Sequence, residues 1–539
     1  MSEQEGNQDP QLLVKELEEV YETDYEIGQD NVNAFGLDLH NPVFFISALL
    51  IIVLVVTALL FPEAADKQLT ATRVAIGDWF DWLFLSAGNI FVLFCLALII
   101  LPVGRIRIGG EDATPDFSLM SWLAMLFAAG MGIGLMFWAV AEPVGYFTEW
   151  FGTPLDAGGG DAASALGATM YHWGLHPWAI YGVVALSLAF FAYNKGLPLT
   201  IRSTFYPLFG DRVFGWLGHV IDILAVLATL FGLATSLGLG ATQAASGLNF
   251  LFGIDPGLTT QVAIIIGVTA VALVSVMRGI HGGVRVLSNI NITLAFVLLL
   301  FVMFAGGLIA FFSSVGTTLG GYLQYILPLS NPVGREDETF YHGWTIFFWA
   351  WWISWSPFVG MFIARVSRGR TVRQFMTAVL IVPTVVTVVW MSAFGGNGIN
   401  QVIDGVGELA GGISDSSLAL FQMLQNLPFT NVTSFLAIVL VLVFFITSSD
   451  SGSLVIDSIT SGGKTNAPKS QRLFWVVIEG VIAGVLLAVG GEAALDALQA
   501  GAVSAGLPFV IVLLLMCVSL TKGLHHELQL IRYGSAESS

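Results

Sequence analysis

The fold is decided by the stretch LFAAGMGIGLMFWAV, residues 126–140, in which glycines interrupt a long apolar segment. The apolar run around it, about residues 117–148, exceeds the roughly 20 residues that a helix needs to cross a bilayer. Gly130, Gly132 and Gly134 each weaken a helix by about 1 kcal/mol relative to alanine. Irregular backbone at membrane depth is tolerated only where protein buries it or where it lines a cavity. We therefore expect a broken membrane-spanning helix beside a ligand site, with close helix packing through the GxxxG spacing as the alternative.

Apolar runs of comparable length continue on both sides of this segment. Hydrophobic residues make up 55% of the 539 residues and charged residues 11%, well below the quarter that is typical of soluble domains. The chain is therefore predicted to be an all-α polytopic membrane protein with twelve transmembrane helices and both termini on one side. The predicted spans centre on residues 43–61, 79–102, 117–148, 164–193, 214–249, 258–277, 289–312, 341–366, 374–396, 433–449, 472–490 and 505–520.

The distribution of basic residues sets the orientation of these spans. With the N terminus inside, all of the 20 Lys and Arg residues except Lys67, Arg73 and Arg335 fall on the cytoplasmic side. Cytoplasmic loops of membrane proteins carry such an excess of basic residues. We therefore predict a multi-pass protein of the cell (inner) membrane with cytoplasmic N and C termini.

The N-terminal tail is strongly acidic. Residues 1–42 contain eleven acids against one basic residue, Lys15, and supply more than half of the net charge of −18. They lack the basic segment followed by an apolar one that marks a cleaved signal peptide. Two interpretations stay open: an amphipathic helix over Gln11–Tyr25 that docks on basic cytoplasmic loops, or a solvated tail. Nucleic acid is not an expected partner of so acidic a chain.

Aromatic residues cluster in the fourth span, in the stretch WGLHPWAIY, residues 173–181. On a helix, Trp178 and Tyr181 share a face because they are three residues apart. Trp173 would join them only if Pro177, which removes a helical hydrogen-bond donor, kinks the helix. Taken alone, this stretch also suits an aromatic belt at the membrane interface.

A second cluster lies in the eighth span, in the stretch FWAWWISWSPF, residues 348–358. Trp352 and Trp355 share a helix face and lie deeper than an interfacial belt extends. A quaternary ammonium group cannot donate a hydrogen bond, but it is attracted to aromatic faces by roughly 2 kcal/mol or more where water is excluded. The two clusters together therefore predict a box for a quaternary ammonium solute, which suits a carrier with an occluded ligand better than a channel.

The tenth span ends in a run of hydroxyl side chains that includes Thr447 and Ser448. Their oxygens are suitable ligands for a hard cation, together with carbonyls of the glycine-rich stretch. The alternative is helix capping, which Asp450 and Ser451 also suit. No His-Glu-x-x-His, Gly-x-Ser-x-Gly or phosphate-loop pattern occurs, so a membrane-embedded enzyme, the alternative from a different class, is not favoured.

With these motifs, the chain resembles the betaine/carnitine/choline transporter family from the third span to the twelfth. The resemblance rests on Gly130–Gly134 with Glu142-Pro143, on His176–Tyr181, and on Trp349–Phe358 continuing to Thr371. It implies a leucine-transporter-type fold with two leading helices and two inverted five-helix repeats. It also implies a homotrimer in membrane lipid. The predicted regions are an acidic tail (1–42), two peripheral helices (43–102), the first repeat (103–312), an outer loop with an interfacial helix or ordinary loop structure (313–340), the second repeat (341–520) and a short C-terminal tail (521–539).

The resemblance also assigns roles to individual residues. It implies a substrate site at Trp173, Trp178, Tyr181 and Trp352, with Trp355 close by and with Gly132 and Gly134 from the broken helix. Trp351 and Phe358 would line the path toward the cytoplasm. A sodium site would use Ala128, Met131, Phe444, Thr447 and Ser448. A second sodium site would use Thr229 and Phe358, but Leu233, one turn after Thr229, has no side-chain oxygen to contribute.

The function that the resemblance implies is import of a quaternary ammonium compatible solute, with glycine betaine first, by sodium symport. Sodium is the expected coupling ion and no other cofactor is expected. Gly134 favours a zwitterion, because choline transporters of this family tend to carry aspartate at that position. Carriers of ectoine, carnitine, choline or a sulfonium zwitterion, and a sodium-independent exchanger, are the alternatives.

Overall fold

Among the residues that the structure describes, eleven helical segments are long and apolar enough to cross a membrane. The computed structural model describes residues 17, 19–34, 36–130, 132–278, 284–464 and 466–537. A further crossing is split into two shorter apolar helices on either side of Met131, a residue outside the described ranges. The predicted polytopic helical architecture is therefore confirmed, and the third span is broken as predicted. The helices are α1 (Val43–Leu60), α2 (Pro62–Ile100), α3 (Leu119–Gly130), α4 (Ile133–Phe147), α5 (Ala162–Trp173), α6 (Leu175–Tyr193), α7 (Trp216–Phe252), α8 (Leu258–Arg278), α9 (Val284–Ala305), α10 (Leu308–Leu329), α11 (Ile346–Val366), α12 (Val372–Ile403), α13 (Ala419–Gln425), α14 (Thr430–Thr460), α15 (Lys469–Gly490) and α16 (Ala494–Glu537).

Packing between helices relates the two halves of the chain. The third and fourth crossings of each half contact their counterparts, as α7 with α14 and α8 with α15. Contacts between crossings at different positions recur with the two halves exchanged: a contact of the third crossing of the first half with the fourth of the second, for example, is matched by one of the fourth with the third. These matched contacts are α7–α15 with α8–α14, α7–α16 with α9–α14, and α6–α11 with α4–α12. Five crossings are an odd number, so the second repeat enters the membrane from the side opposite to the first.

Several helix boundaries differ from the predicted spans. Helix α2 begins at Pro62 rather than near residue 79, because polar residues that are good helix formers extend it beyond the apolar run. The seventh crossing ends at Ala305, before Gly307, whose φ of 92° suits glycine. Helix α16 continues through residues 521–537, where a short tail was predicted.

Helix α10 (Leu308–Leu329) occupies the region between the two repeats. Its buried residues pack against α5 and α12. Its other face exposes large apolar side chains, including Ile309, Leu323 and Leu327. Of the two interpretations of this region, the helix is the one that the structure contains, although its N terminus lies before residue 313.

The N-terminal segment ends in a β-hairpin, which the all-α prediction did not include. Strands β1 (Asn31–Ala34) and β2 (Leu37–His40) pair in antiparallel fashion. Of the helix predicted over residues 11–25, residues 11–16 and 18 lie outside the described residues, residues 17 and 19 are helical, and residues 22–25 are not. Docking of that helix on basic loops stays a prediction. The hairpin that follows it does contact a basic loop residue: the Lys464 ammonium lies 2.6 Å from an Asp38 carboxylate oxygen.

Candidate substrate and ion sites

The predicted interruption of the third span is present. Helix α3 ends at Gly130 and α4 begins at Ile133, with Gly132 between them in an extended conformation (φ −145°, ψ −175°). Within the described residues, no side chain caps the N terminus of α4. The first amide groups of a helix lack intrahelical acceptors and carry partial positive charge. They can therefore meet an anionic group of a ligand.

The glycines also allow indole rings to approach the broken helix. A Cβ atom on Gly132 would lie 3.1 Å from Cη2 of Trp355. A Cβ atom on Gly134 would lie 2.8 Å from Cη2 of Trp173 and 2.8 Å from Cη2 of Trp351. The structure is thus compatible with both interpretations of these glycines, close packing and a ligand site. The indole rings that pack against the glycines are themselves residues of the predicted site.

A second break lies in the fourth span, but it is not at Pro177 as predicted. Helix α5 ends at Trp173 and α6 begins at Leu175, with Gly174 at φ −97° and ψ −128° between them. Pro177 lies in the first turn of α6, where its missing N–H is not needed. The predicted kink is therefore wrong in position, because glycine rather than proline supplies the non-helical residue.

Ring contacts link the four predicted aromatic box residues near this break. The ring centroids of Trp173 and Trp352 are 4.8 Å apart in an edge-to-face arrangement. Tyr181 lies 6.3 Å from Trp352 and 5.5 Å from Trp178, again edge to face. The box therefore combines residues of α5 and α6 in the first repeat with α11 in the second. Its faces are the surfaces that attract a quaternary ammonium group.

Hydrogen bonds fix the orientation of the indoles. Trp352 donates from Nε1 to the main-chain oxygen of His172, over 2.9 Å. Trp351 donates to the Gly232 oxygen, over 3.2 Å, and stacks on Trp352 with centroids 4.7 Å apart. Trp351 is thus packed beside the box in this structure, and its predicted role on the cytoplasmic path stays a prediction.

Two residues near the box were not assigned by sequence reasoning. Phe348 stacks on Trp352 at 5.9 Å and contacts Trp173 at 5.7 Å. Glu142 accepts a hydrogen bond from Trp173 Nε1 over 2.6 Å. An acid within an apolar span is itself a signal of function, so Glu142 could have been singled out from the sequence.

Trp355 lies to one side of these rings. Its ring pairs with Phe358, 5.4 Å away and edge to face. The Trp355 Nε1 donor and the Tyr181 hydroxyl are both buried, and neither has a hydrogen-bond partner within the described part of the chain. Buried polar groups are normally satisfied, so these two donors are available to an acceptor on a ligand.

The predicted sodium ligands are only partly described. Met131 lies outside the described residues, and the side chain of Ala128 is not described either. On α14, Phe444 and Ser448 are buried, and the Thr447 hydroxyl contacts the carbonyl oxygens of Val443 and Phe444. Helix α4, which starts at the break, packs against α14. Hydroxyl and carbonyl oxygens form a donor set that fits a hard monovalent cation, and the site itself stays a prediction.

For the second sodium site, the structure shows what its candidate residues contact. The Thr229 hydroxyl donates to the Ala225 carbonyl over 2.7 Å, within its own helix. The Leu233 side chain is fully buried against Gly452, where a Cβ atom would come within 2.2 Å of it. Leu233 thus serves close packing between α7 and α14. The pairing of Thr229 with Phe358 around an ion stays a prediction.

Cavities lie on both sides of the box. One of about 1100 Å³, on the predicted outer side, is lined by Phe151 and Trp344 and by acids that include Asp255 and Asp415. Another of about 640 Å³, on the predicted cytoplasmic side, is bordered by Tyr193, Arg365 and Ile27 of the N-terminal segment. A chain of ring contacts leads inward from the outer cavity, through Trp344, Trp138, Phe348 and Trp352.

The comparison with protein families decides where this architecture belongs. The model of the betaine/carnitine/choline family transporters matches residues 42–529. The chain belongs to the betaine/carnitine/choline transporter family. It is therefore a multi-pass membrane transporter and not an enzyme.

Relatives that are named for their substrates are closely similar to this chain. A protein of Vibrio parahaemolyticus named glycine betaine transporter 1 is 65% identical over 515 residues, covering 94% of this chain and 98% of its own length. A glycine betaine/proline/choline/ectoine transporter of the same organism is 61% identical, covering 95% and 92%. Among solved structures, a manganese transporter of Eremococcus coleocola overlaps with a TM-score of 0.44 at 16% identity, covering 76% of this chain and 83% of that one. This structural overlap adds nothing to the family assignment.

Proposed function

We propose that this transporter imports glycine betaine by sodium symport. The observation that carries the proposal is the meeting of Trp173, Tyr181 and Trp352 beside the broken helix. Aromatic faces without hydrogen-bond acceptors suit a trimethylammonium group, whereas a primary amine would lose its hydrogen bonds there.

The surroundings of the box also offer partners for the carboxylate of a zwitterion. The buried Tyr181 hydroxyl and Trp355 Nε1 are donors without a described protein partner. The N terminus of α4 supplies further amide donors and a favourable dipole. Choline lacks a carboxylate and could accept from these donors only through its single hydroxyl oxygen, which favours betaine.

The relatives support a betaine-type substrate and also a broader one. One close relative is named for glycine betaine alone, and another for glycine betaine, proline, choline and ectoine. We therefore include proline, choline and ectoine as candidate substrates, with carnitine and sulfonium zwitterions as further candidates. A sodium-independent exchanger of the same family is the alternative mechanism.

Sodium coupling rests on the hydroxyl and carbonyl oxygens proposed for the ion, with Thr447 and Ser448 supplying the side chains. Alternating access would open the box in turn to the outer cavity of about 1100 Å³ and the inner one of about 640 Å³. We also propose a homotrimer in the cell (inner) membrane with cytoplasmic termini. The positive-inside distribution of Lys and Arg supports this orientation.

The experiment that tests the proposal is uptake of labelled glycine betaine into proteoliposomes. Uptake is measured with an inward sodium gradient and with sodium replaced by potassium. Trp352→Ala tests the box and Ser448→Ala tests the ion site, while ectoine, choline, proline and carnitine serve as competitors. We expect sodium-dependent uptake that both variants abolish.

Trp475→Phe is the matched control for loss of a buried tryptophan. Trp475 is fully buried on α15, and its Nε1 donates to Thr460 Oγ1 over 3.0 Å, away from the box. We expect this variant to retain uptake. Uptake that proceeds equally in potassium would overturn sodium symport, and uptake of a competitor without betaine would overturn the substrate.

A further inference from the structure

The acid Glu142 is fully buried on α4 and receives three polar contacts. Its Oε2 accepts from Trp173 Nε1 over 2.6 Å. Its Oε1 lies 2.6 Å from His172 Nδ1 and accepts from the Tyr146 hydroxyl over 3.1 Å. Both carboxylate oxygens therefore already accept hydrogen bonds from protein donors.

The contacts of Glu142 reach the second repeat through His172. The other ring nitrogen of His172, Nε2, lies 3.0 Å from Thr345 Oγ1, directly before α11. An ionised Glu142 requires the hydrogen of His172 to sit on Nδ1, so that Nε2 accepts from the Thr345 hydroxyl. This tautomer satisfies both partners, and the network then joins α4, α5 and the start of α11.

His172 also controls the second tryptophan of the box. Its main-chain oxygen accepts from Trp352 Nε1 over 2.9 Å. Its ring stacks on Phe348 with centroids 4.6 Å apart, and Phe348 in turn stacks on Trp352. Glu142 therefore holds Trp173 directly and constrains Trp352 through His172.

A carboxyl group in the interior of a membrane protein is costly unless it is fully hydrogen-bonded. An apolar residue would fill the same volume without that cost, so simple packing does not account for Glu142. Fully satisfied polar networks give rigid and unique geometry to the groups that they hold. Here the groups held are the two indoles whose faces would enclose a quaternary ammonium.

We propose that Glu142 is the positioning residue of the aromatic box, and that it sets the spacing of Trp173 and Trp352 and so the size of the ammonium head group accepted. This inference rests on the proposed function, because it concerns the same site. Rotation of the Trp173 ring about its side-chain bonds would turn its face from the ligand. The hydrogen bond to Glu142 opposes this rotation.

The test is a double-mutant cycle with Glu142→Gln and Trp173→Phe, read out by equilibrium binding of labelled glycine betaine to the purified full-length protein in sodium. Glu142→Gln keeps the size of the side chain but replaces one acceptor by a donor. Trp173→Phe keeps a ring but removes the N–H. We expect Glu142→Gln to weaken betaine binding about tenfold, and to have about threefold or less effect when Trp173→Phe is already present.

Selectivity supplies a readout that a merely structural role would not change. A mispositioned box loses its fit to three methyl groups, so Glu142→Gln should lose more affinity for betaine than for proline, which fills less of the box. Thermal unfolding of each variant is measured in parallel. Trp475→Phe is again the control and is expected to bind betaine as the parent protein does.

The outcomes separate this inference from the function on which it rests. Additive effects in the cycle, or equal losses for betaine and proline, would overturn the positioning role while betaine binding by the parent protein stands. A parent protein that binds no betaine would overturn the proposed substrate and the inference together.

Discussion

At the residue scale, close approach to the tryptophans determines what the broken helix tolerates. Gly134 faces the ends of two indoles, and any side chain there must displace them. The aspartate that choline transporters of the family tend to carry at this position would not fit beside Trp173 and Trp351 in the observed arrangement. Glycine at position 134 is thus explained by the packing of the two indoles, and the zwitterion expected from it stays a prediction.

We predict that Gly134→Ala raises the KM for betaine uptake about tenfold, equivalent to about 1.4 kcal/mol of binding. The reason is the 2.8 Å approach of the new Cβ to Trp173 and Trp351. The measurement is initial uptake rate against betaine concentration in proteoliposomes. Gly267→Ala is the control, because a Cβ there meets nothing within 4 Å. An unchanged KM for Gly134→Ala would show that the rings can move aside without loss.

His40, outside the membrane spans, gives a prediction about pH. Burial, with the nearby Arg202 guanidinium, lowers the pKa of His40 to about 3, and its Nε2 lies 3.0 Å from Arg202 Nη1. The pKa of a histidine in the unfolded chain is about 6.5, so between pH 3 and pH 6.5 the folded protein binds fewer protons at His40 than the unfolded chain does. The contribution of neutral His40 to the free energy of unfolding is therefore fully present above about pH 6.5 and is lost as the pH falls toward 3.

We expect His40→Gln to reduce the fall in thermal midpoint between pH 7 and pH 5. Glutamine can accept from Arg202 and donate to Asn31 without titrating, as the neutral imidazole does. The measurement is thermal unfolding of both proteins at the two pH values. An equal pH-dependent loss in parent and variant would mean that His40 does not contribute to it.

At the element scale, helix α10 supports the break between α5 and α6. The Tyr322 hydroxyl accepts from the Leu175 amide over 2.9 Å. A Cβ atom on Gly174 would lie 2.6 Å from the same hydroxyl oxygen. The helix between the repeats thus satisfies the first amide of α6 and helps fix Trp173, the last residue of α5.

We predict that Tyr322→Phe destabilises this break by about 1–3 kcal/mol, because it leaves the Leu175 amide without its acceptor. Hydrogen exchange of a peptide that covers Leu175 measures the effect directly. Tyr325→Phe serves as the control, since Tyr325 is on the same helix and bonds the exposed Asp161 instead. Protection of Leu175 that is equal in both variants would contradict the supporting role of α10.

At the scale of the whole molecule, the N-terminal segment joins loops of both repeats. In the first repeat, the fully buried Arg202 donates to the Tyr25 hydroxyl over 3.1 Å and contacts His40. In the second repeat, Lys464 pairs with Asp38. The segment therefore lies across the predicted cytoplasmic side of the transporter.

Deletion of residues 1–41 is expected to lower the thermal midpoint of the purified protein. It removes two partners of Arg202, and each lost hydrogen bond to a buried charged group costs about 1–3 kcal/mol. The comparison is with full-length Asp38→Asn, which weakens the partly exposed pair with Lys464, retains an oxygen that can accept from Asn31 Nδ2, and leaves both Arg202 partners in place, so it should change the midpoint little. A deletion that leaves the midpoint unchanged would show that water replaces these partners without loss.

The amino-acid sequence by itself determined the crossings, the broken third span and the types of residue at the site. These features are local: a bilayer demands long apolar helices, closely spaced glycines weaken a helix, and tryptophans deep in a span are conspicuous. The tertiary structure alone decided that the fourth span breaks at Gly174 rather than at Pro177. It also decided that Trp173 meets Trp352, and that Glu142 and His172 hold them. Such contacts join helices far apart in the chain, and neither hydropathy nor periodicity contains the distances between atoms that establish them.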